Sequence, residues 1–318
     1  MTDETDSQKG TTMGEQTVAI QTAGLTKRYG RKAALQDLSL AVPKGSVFAL
    51  IGRNGAGKTT LIRTLLGLAA TDGGTATVLG LNPAKQGVEI RRKVGFVPDE
   101  HRFPRWMSIA ELTGFTGAFF PTWNAVLCAD LLARFKLDPK QKVKALSRGM
   151  LAQTALCLAL AHEPEMLILD EPTSGLDAVV RREFLEQVLG AAADEGRTIL
   201  ISSHMLDELD RVADHVGYLE EGTLRLAETA ESLKERVREY RLTFTNEAPK
   251  ELADPAWLSV RQVTPHEWTL TVENDSEDTQ PGLQRCFPGA SISSRELTLE
   301  EIFVALAQAP GQSGPGLE

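Results

Sequence analysis

Phe48-Ala49-Leu50-Ile51-Gly52-Arg53-Asn54-Gly55-Ala56-Gly57-Lys58-Thr59-Thr60 decides how the rest of the chain is read. Val47 to Ile51 is a short apolar run, the pattern of a buried strand. Gly52-x-x-x-x-Gly57-Lys58-Thr59 follows it, and Leu61 to Leu68 has the spacing of a helix. Strand, glycine loop and helix in that order make a phosphate-binding loop. The glycines let the backbone wrap an anion, with successive N–H groups and the helix N-terminus pointing at it. Lys58 then reaches the outer phosphates, and the Thr59 hydroxyl is placed to ligate Mg2+.

Working outward, a chain of 318 residues has room for one large domain and a smaller one. Hydrophobic residues make up 42%, enough for a sizeable core. A net charge of −9 argues against a general nucleic-acid binder, because no basic field would attract phosphates. Cys128, Cys157 and Cys286 lie far apart, with no Cys-x-x-Cys. That suits a reducing compartment and offers no metal or disulfide framework, so each is expected as a small buried apolar residue. Residues 1–16 are polar and acidic, which predicts a disordered tail rather than a targeting segment. No apolar run approaches the ~20 residues that span a bilayer. The expectation is a cytoplasmic chain that meets a membrane only through a partner.

Thr17 to Thr22 and Leu38 to Val42 read as strands on either side of Leu25-Thr26-Lys27-Arg28-Tyr29-Gly30. Thr75 to Leu79 is strand-like, and Val88 to Lys93 is a basic helix leading to Gly95-Phe96-Val97-Pro98-Asp99-Glu100. Residues 105–145 change character: Met107 to Phe119 and Asn124 to Phe135 carry helical periodicity with no strand between, with Thr122 as the expected N-cap of the second helix. This is a helical insertion, and the basic run Lys140, Lys142, Lys144, Arg148 beyond it reads as a solvated face. Met166 to Leu169 is a buried strand ending in Asp170 and Glu171, Ala178 to Ala193 a helix, and Thr198 to Ser202 another strand before Ser203 and His204. Strands alternating with helices imply a mostly parallel sheet covered on both faces, with ligands at the carboxyl ends of its strands. From about residue 229 the pattern shifts. A helix at Ala230 to Glu239, strands at Arg241 to Thr245, Leu258 to Val263, Trp268 to Val272 and Ser291 to Ser294, and a helix at Leu299 to Ala307 predict an α+β appendage. His266 and Cys286 stand alone there as structural residues, and 309–318 reads as a second disordered tail.

A phosphate loop alone leaves kinase, GTPase and ATPase open. Later motifs narrow the choice: Leu146-Ser147-Arg148-Gly149-Met150 before a long helix, then Asp170-Glu171, Asp177 and His204 in order. Over residues 17–228 this order and spacing resemble the ATP-binding-cassette (ABC) ATPases. The fold implied is α/β, a P-loop NTPase of ABC type, with a helical subdomain at about 105–145 and the appendage at 229–308. Leu297-Thr298-Leu299-Glu300-Glu301-Ile302-Phe303 resembles the tail of cassettes serving bacterial export systems with separately encoded permeases.

What the resemblance implies can be carried over position by position. Tyr29 stacks on adenine, and Gly52 to Thr60 hold the triphosphate of ATP. Thr59, Asp170 and Asp99 serve Mg2+. Glu171 polarises the attacking water and His204 contacts the γ-phosphate. Ser147 and Gly149 donate to a nucleotide across a dimer, and Asp177 touches the opposite subunit. The partners implied are a second cassette, in a homodimer or heterodimer, and an integral membrane permease that holds the chain at the inner face of the cell membrane. Two positions depart from the family pattern: Asp99 stands where Gln is common, and Arg148 and Met150 stand where the signature has Gly and Gln. A cationic contact to nucleotide and a side chain in solvent are both open for Arg148. Two other functions stay in view, a soluble cassette ATPase with no transport role and a regulatory nucleotide-binding module of low turnover.

Overall fold

The computed structural model of the chain describes residues 18–193, 196–205, 209–246, 248–249, 252, 254 and 257–308. The tails expected at 1–16 and 309–318 lie outside these residues. The chain opens with β1 (Val18–Tyr29) and β2 (Lys32–Pro43), an antiparallel hairpin, and continues through β3 (Val47–Ile51), α1 (Lys58–Leu65), β4 (Gly73–Val78), α2 (Pro83–Lys93) and β5 (Val94–Val97). The insertion supplies α3 (Ile109–Gly117) and α4 (Ala125–Arg134). Then come α5 (Arg148–Leu160), β6 (Met166–Asp170), α6 (Ala178–Ala193), β7 (Thr198–Ser203), β8 (His215–Glu220) and β9 (Thr223–Thr229). The appendage follows with α7 (Ala230–Arg236), β10 (Val237–Phe244), β11 (Trp257–Thr264), β12 (Glu267–Glu273), α8 (Thr279–Cys286), β13 (Ala290–Glu296) and α9 (Leu299–Gln308).

Six strands in the order β5-β6-β7-β3-β8-β9 form the central sheet, parallel except for β9. Alternation along each strand divides its side chains between two cores. Val47, Ala49 and Ile51 face one side, with Leu167, Leu169, Ile199 and Ile201, against α5 and α6. Phe48 and Leu50 face the other, with Met166, Ile168 and Leu200, against Leu61, Ile62 and Leu65 of α1 and the separate antiparallel sheet β2-β1-β4. Apolar side chains on both faces are what a parallel strand needs. The register settles where the strand ends lie: Ile51 pairs with Ser203, and Asp170 with Ser202. Gly52, Glu171 and His204 therefore leave the sheet side by side.

The appendage is shared between two cores. Tyr240, Leu242, Trp268, Leu270 and Leu283 build a small one on the four-stranded sheet β11-β12-β10-β13. Leu233 of α7 and Leu299, Ile302 and Phe303 of α9 instead join the large core under β3, β6 and β7, where Phe303 meets Tyr218 at 5.2 Å between ring centroids. Local details depart from the sequence reading. Asn124, not Thr122, caps α4, because its Oδ1 accepts the Leu127 N–H at 2.9 Å, while the Thr122 hydroxyl donates to the His162 carbonyl at 2.7 Å. β1 runs on to Tyr29 through bulges, and α7 stops at Arg236, where β10 takes over. Cys128 and Cys157 are buried as expected, whereas Cys286 is exposed. Among the described residues no helix is long and apolar enough to cross a membrane.

Candidate functional site

The loop after β3 is shaped by close approach. A Cβ on Gly52 would sit 2.4 Å from the Leu219 carbonyl oxygen. Gly57 has φ +112°, and a Cβ there would meet the Ala34 carbonyl oxygen at 2.5 Å. Only glycine fits either place. Gly57 is also the N-cap of α1 and offers no side-chain acceptor, so the first N–H groups of α1 face the loop. Lys58 is buried, and its ammonium is held by the carbonyls of Gly52 and, at 3.4 Å, Arg53. Beside the loop, a cavity of about 490 Å³ opens between Arg53 to Ala56, Lys32 and Gln36 of β2, and Tyr218 of β8.

The second wall comes from β6 and β7. Asp170 is buried at the end of β6, where the Ser202 hydroxyl donates to its Oδ1 at 2.7 Å. The next residue, Glu171, turns into the left-handed region at φ +47°, a conformation a side chain enters at a cost of about 1–3 kcal/mol. Two hydrogen bonds hold that turn, from the Glu171 N–H to the Ser202 carbonyl at 3.1 Å and to the Ser202 Oγ at 3.0 Å. The turn aims the carboxylate back over the loop. Oε1 lies 2.9 Å from the Lys58 ammonium. That contact is an ion pair without hydrogen-bond alignment, so Oε1 is a buried oxygen with no donor aimed at it. Oε2 accepts the His204 N–H at 3.3 Å and faces His204 Nδ1 at 2.6 Å. With Glu171 ionised, the hydrogen between them belongs to Nδ1, leaving Nε2 for another partner. Glu171 thus links Lys58 and His204 directly, and Ser202 joins Asp170 to Glu171.

Asp99 follows β5, which pairs with β6. Partial desolvation raises its carboxyl above the ordinary value, and repulsion from Asp170, Glu171 and Glu100 adds to the rise. Three more carboxylates therefore share its field. Among the described residues no three His, Cys, Asp or Glu side chains are grouped to cage a metal by themselves. Mg2+ asks for no such cage; it takes one or two carboxylates with substrate phosphates and water. A divalent cation would relieve the repulsion at Asp99, and the donor set of Thr59, Asp170 and Asp99 is all oxygen. The residues fit the ion.

Away from this group, Ser147, Asp177 and Tyr29 are exposed and Gly149 is half-buried. Ser147 caps α5, its Oγ accepting the Met150 N–H at 3.2 Å. Asp177 caps α6, its Oδ1 accepting from the N–H of Val179 and Val180 at 3.1 and 3.0 Å. Gly149 lets α5 approach α6, since a Cβ there would meet Val180 Cγ1 at 2.8 Å. Arg148 has its side chain in solvent, one of the two courses left open for it. The guanidinium lies over Gly175, where an added Cβ would be 2.8 Å from Nη1. Tyr29 ends β1 and is 53% exposed, with the Lys27 ammonium 5.3 Å from its ring centroid. Ser202 is the residue the sequence reading passed over. Its signal is a hydroxyl that directly follows the apolar run Ile199-Leu200-Ile201, two positions before His204.

A family model described as ABC transporter matches residues 35–174. The ABC transporter ATP-binding protein YtrB of Bacillus subtilis (strain 168) is 27% identical over 286 residues, 90% of this chain and 97% of that protein. The bacitracin transport ATP-binding protein BcrA of Bacillus licheniformis is 35% identical over 70% of this chain and 73% of its own length. The Nod factor export ATP-binding protein I of Burkholderia orbicola (strain AU 1054) is 38% identical over 66% and 70%. Among solved structures, an ATP-binding subunit of an ABC transporter aligns with a TM-score of 0.64 at 26% identity, over 69% of this chain and 92% of that one. A dimeric bacterial ABC transporter cassette shares the fold with a TM-score of 0.60 at 20% identity, over 66% and 98%. Motif order, the strand-end geometry and these likenesses agree: the chain belongs to the ATP-binding-cassette transporter family, as an ATP-hydrolysing subunit.

Proposed function

We propose that two such chains sandwich two ATP molecules and drive a separate integral membrane permease from the inner face of the cell membrane, in an export system. The observation that carries the chemistry is the Glu171 carboxylate, held between the Lys58 ammonium and His204 directly over the phosphate loop. In this reading Lys58 and the loop N–H groups bind the phosphates, with Thr60 following Thr59 at the start of α1. Glu171 takes a proton from the attacking water as its oxygen bonds to the γ-phosphorus and the bond to the β-phosphate oxygen breaks. His204 holds Glu171 through Nδ1 and offers Nε2 to the γ-phosphate. Thr59, Asp170 and Asp99 would hold Mg2+, which when bound neutralises charge developing on the phosphate oxygens. Ser147, Gly149 and Asp177 would serve the nucleotide and loop of the opposite subunit, and Tyr29 the adenine.

Export is supported by the relatives, whose names include bacitracin transport and Nod factor export. A permease is supported by the insertion. An apolar groove of about 440 Å³ lies between α3 and α4, lined by Ala110, Trp123, Cys128, Leu132 and Pro139. Trp106, Phe115, Phe119 and Val126 of the insertion are each more than half exposed. A groove of this kind takes an amphipathic helix of a partner. Residues 229–308 would brace the cassette and its dimer rather than bind ATP, since α7 and α9 pack in the main core. The test is to isolate the chain from its native membrane and measure its ATPase activity with and without the proteins that accompany it. A copurified membrane protein that stimulates hydrolysis is the expected result; hydrolysis with no such companion would favour a role outside transport.

A further inference from the structure

We infer that Ser202 is a positioning residue for ATP hydrolysis, whose hydroxyl sets the geometry of Asp170 and Glu171 together. The inference rests on the reading of Glu171 as the base. Ser202 is fully buried on β7, opposite Asp170 on β6. Its hydroxyl hydrogen goes to Asp170 Oδ1 at 2.7 Å, and its lone pair receives the Glu171 N–H at 3.0 Å. One oxygen therefore serves two acids that are adjacent in sequence but differ in task. The bond to Asp170 fixes the rotation of that carboxylate and leaves Oδ2 for the phosphate side. The bond to Glu171 helps hold φ at +47°, the turn that swings its carboxylate onto Lys58 and His204.

The surrounding strand sharpens the point. Thr198 to Ile201 are buried, and Ile199, Leu200 and Ile201 fill the two cores. A small apolar residue at 202 would satisfy that packing. It would also leave Asp170 Oδ1 without its donor and Glu171 N–H with the Ser202 carbonyl alone. Left so, the turn at Glu171 relaxes toward ordinary backbone and the carboxylate drifts from the loop. Ser202 touches neither substrate nor reacting atoms in this scheme, so its effect is on rate through Glu171 and on metal use through Asp170, not on nucleotide capture by Lys58.

The test compares Ser202→Ala, Ser202→Thr and Ser202→Cys with the native chain and Glu171→Gln, all full length. Loss of a partner that orients catalytic or metal-binding groups typically costs about 10- to 100-fold. Ser202→Ala should lose about that much in kcat, with the KM for ATP within about threefold, since only a transition-state interaction is removed. The Mg2+ concentration for half-maximal rate should rise, and the ATP-bound dimer on size exclusion should persist longer than the native one. Ser202→Thr, which keeps the hydroxyl, should recover most of the rate. Ser202→Cys keeps the side-chain shape with a somewhat larger atom that hydrogen-bonds weakly, so it should behave like Ala and covers the case in which Ala does not fold. A Ser202→Ala chain with native kcat and native Mg2+ response, beside an inactive Glu171→Gln, would overturn the inference and leave the base assignment standing. Equal losses in Ala and Thr would overturn it too, by tracing the effect to packing volume. Full activity in Glu171→Gln would remove the base assignment, and the positioning role with it.

Discussion

The group around Lys58 and the group around Ser147 belong to one proposed nucleotide-binding scheme, yet the fold treats them oppositely. The Glu171 side chain is 10% exposed and tied to Lys58 and His204, with Asp170 and Ser202 buried behind it. Ser147, Arg148 and Asp177 are exposed, and the two caps spend their oxygens on their own helices. The first group is completed by burial and hydrogen bonds within a single chain. The second is fixed in place but open, and in the proposed scheme a second copy would supply its partners. Under the proposal each subunit carries one half-site of each kind, and two copies would complete two sites between them.

Breaking the finished half should have the largest effect. Glu171→Gln keeps size and hydrogen bonding but removes the base, a loss worth about 10²- to 10⁴-fold in rate. ATP binding should survive, because Lys58, Thr59 and the loop backbone are untouched. The mutant should run as a dimer on size exclusion in ATP and Mg2+ and as a smaller species in ADP, and adding Lys58→Ala should abolish the shift. Slow hydrolysis without association would keep the base and remove the shared site, so that the two halves no longer complement each other.

The finished half was also the more legible one. Apolar runs that end abruptly in Gly52, Asp170-Glu171 and Ser203-His204 mark strand ends, and in a parallel sheet strand ends gather at one edge. The strand neighbours were not legible, because pairing Asp170 with Ser202 depends on register across 32 residues of sequence. Other losses have local causes. Pro281 and Gly282 inside α8 read as breakers, although proline is tolerated in a helix's first turn. The β8–β9 hairpin turns through Glu221 and Gly222, both at positive φ, a two-residue turn whose sequence signal is slight. The membership of α9 in the main core follows from tertiary contacts, since its amphipathic pattern shows that a face is buried and not what buries it. For Arg148 the chemistry was visible, but its place over Gly175 depends on how α5 meets the loop before α6.

The open half can be broken more gently. Gly149→Ala puts a Cβ 2.8 Å from Val180 Cγ1, and a β-branched neighbour has little freedom to move aside. Overpacking of this kind costs about 1–3 kcal/mol. Here it should push the start of α5 away from α6 and shift the open half out of register. The expected result is normal ATP affinity in the monomer with weaker ATP-dependent association of Glu171→Gln chains by sedimentation. Pairing the change with Val180→Ala should restore association. If Gly149→Ala associates normally by itself, the spacing of α5 and α6 is not what shapes the open half. Arg148→Ala should do less. Substitution of an exposed side chain usually moves stability by no more than about 0.5 kcal/mol. Its effect should appear as faster hydrogen exchange across 174–177; unchanged exchange would show that the guanidinium rests on Gly175 without ordering the loop.

The smallest expected effect lies at Asp99, where the finished half meets solvent. Desolvation and the charges of Asp170, Glu171 and Glu100 raise its folded-state pKa above the unfolded value. The folded chain then binds that proton more tightly than the unfolded chain does. Stability contributed by the protonated form is present at low pH and is lost as pH rises through the raised pKa, so at neutral pH the ionised Asp99 opposes folding. Asp99→Asn removes the charge at similar size. Without Mg2+ it should melt slightly above the native chain at neutral pH and level with it below the ordinary carboxylate range. The same change removes an oxygen donor, so the Mg2+ concentration for half-maximal hydrolysis should rise several-fold while ATP affinity holds. The two readouts separate the sources of the effect. A higher melting temperature with an unchanged Mg2+ titration would mean that Asp99 feels the carboxylates but stays clear of the metal. An unchanged melting temperature with a shifted titration would mean that solvent already screens the repulsion in the folded chain. Both shifts together would show that Asp99 feels the gathered carboxylates in the metal-free chain and serves the metal when it is bound.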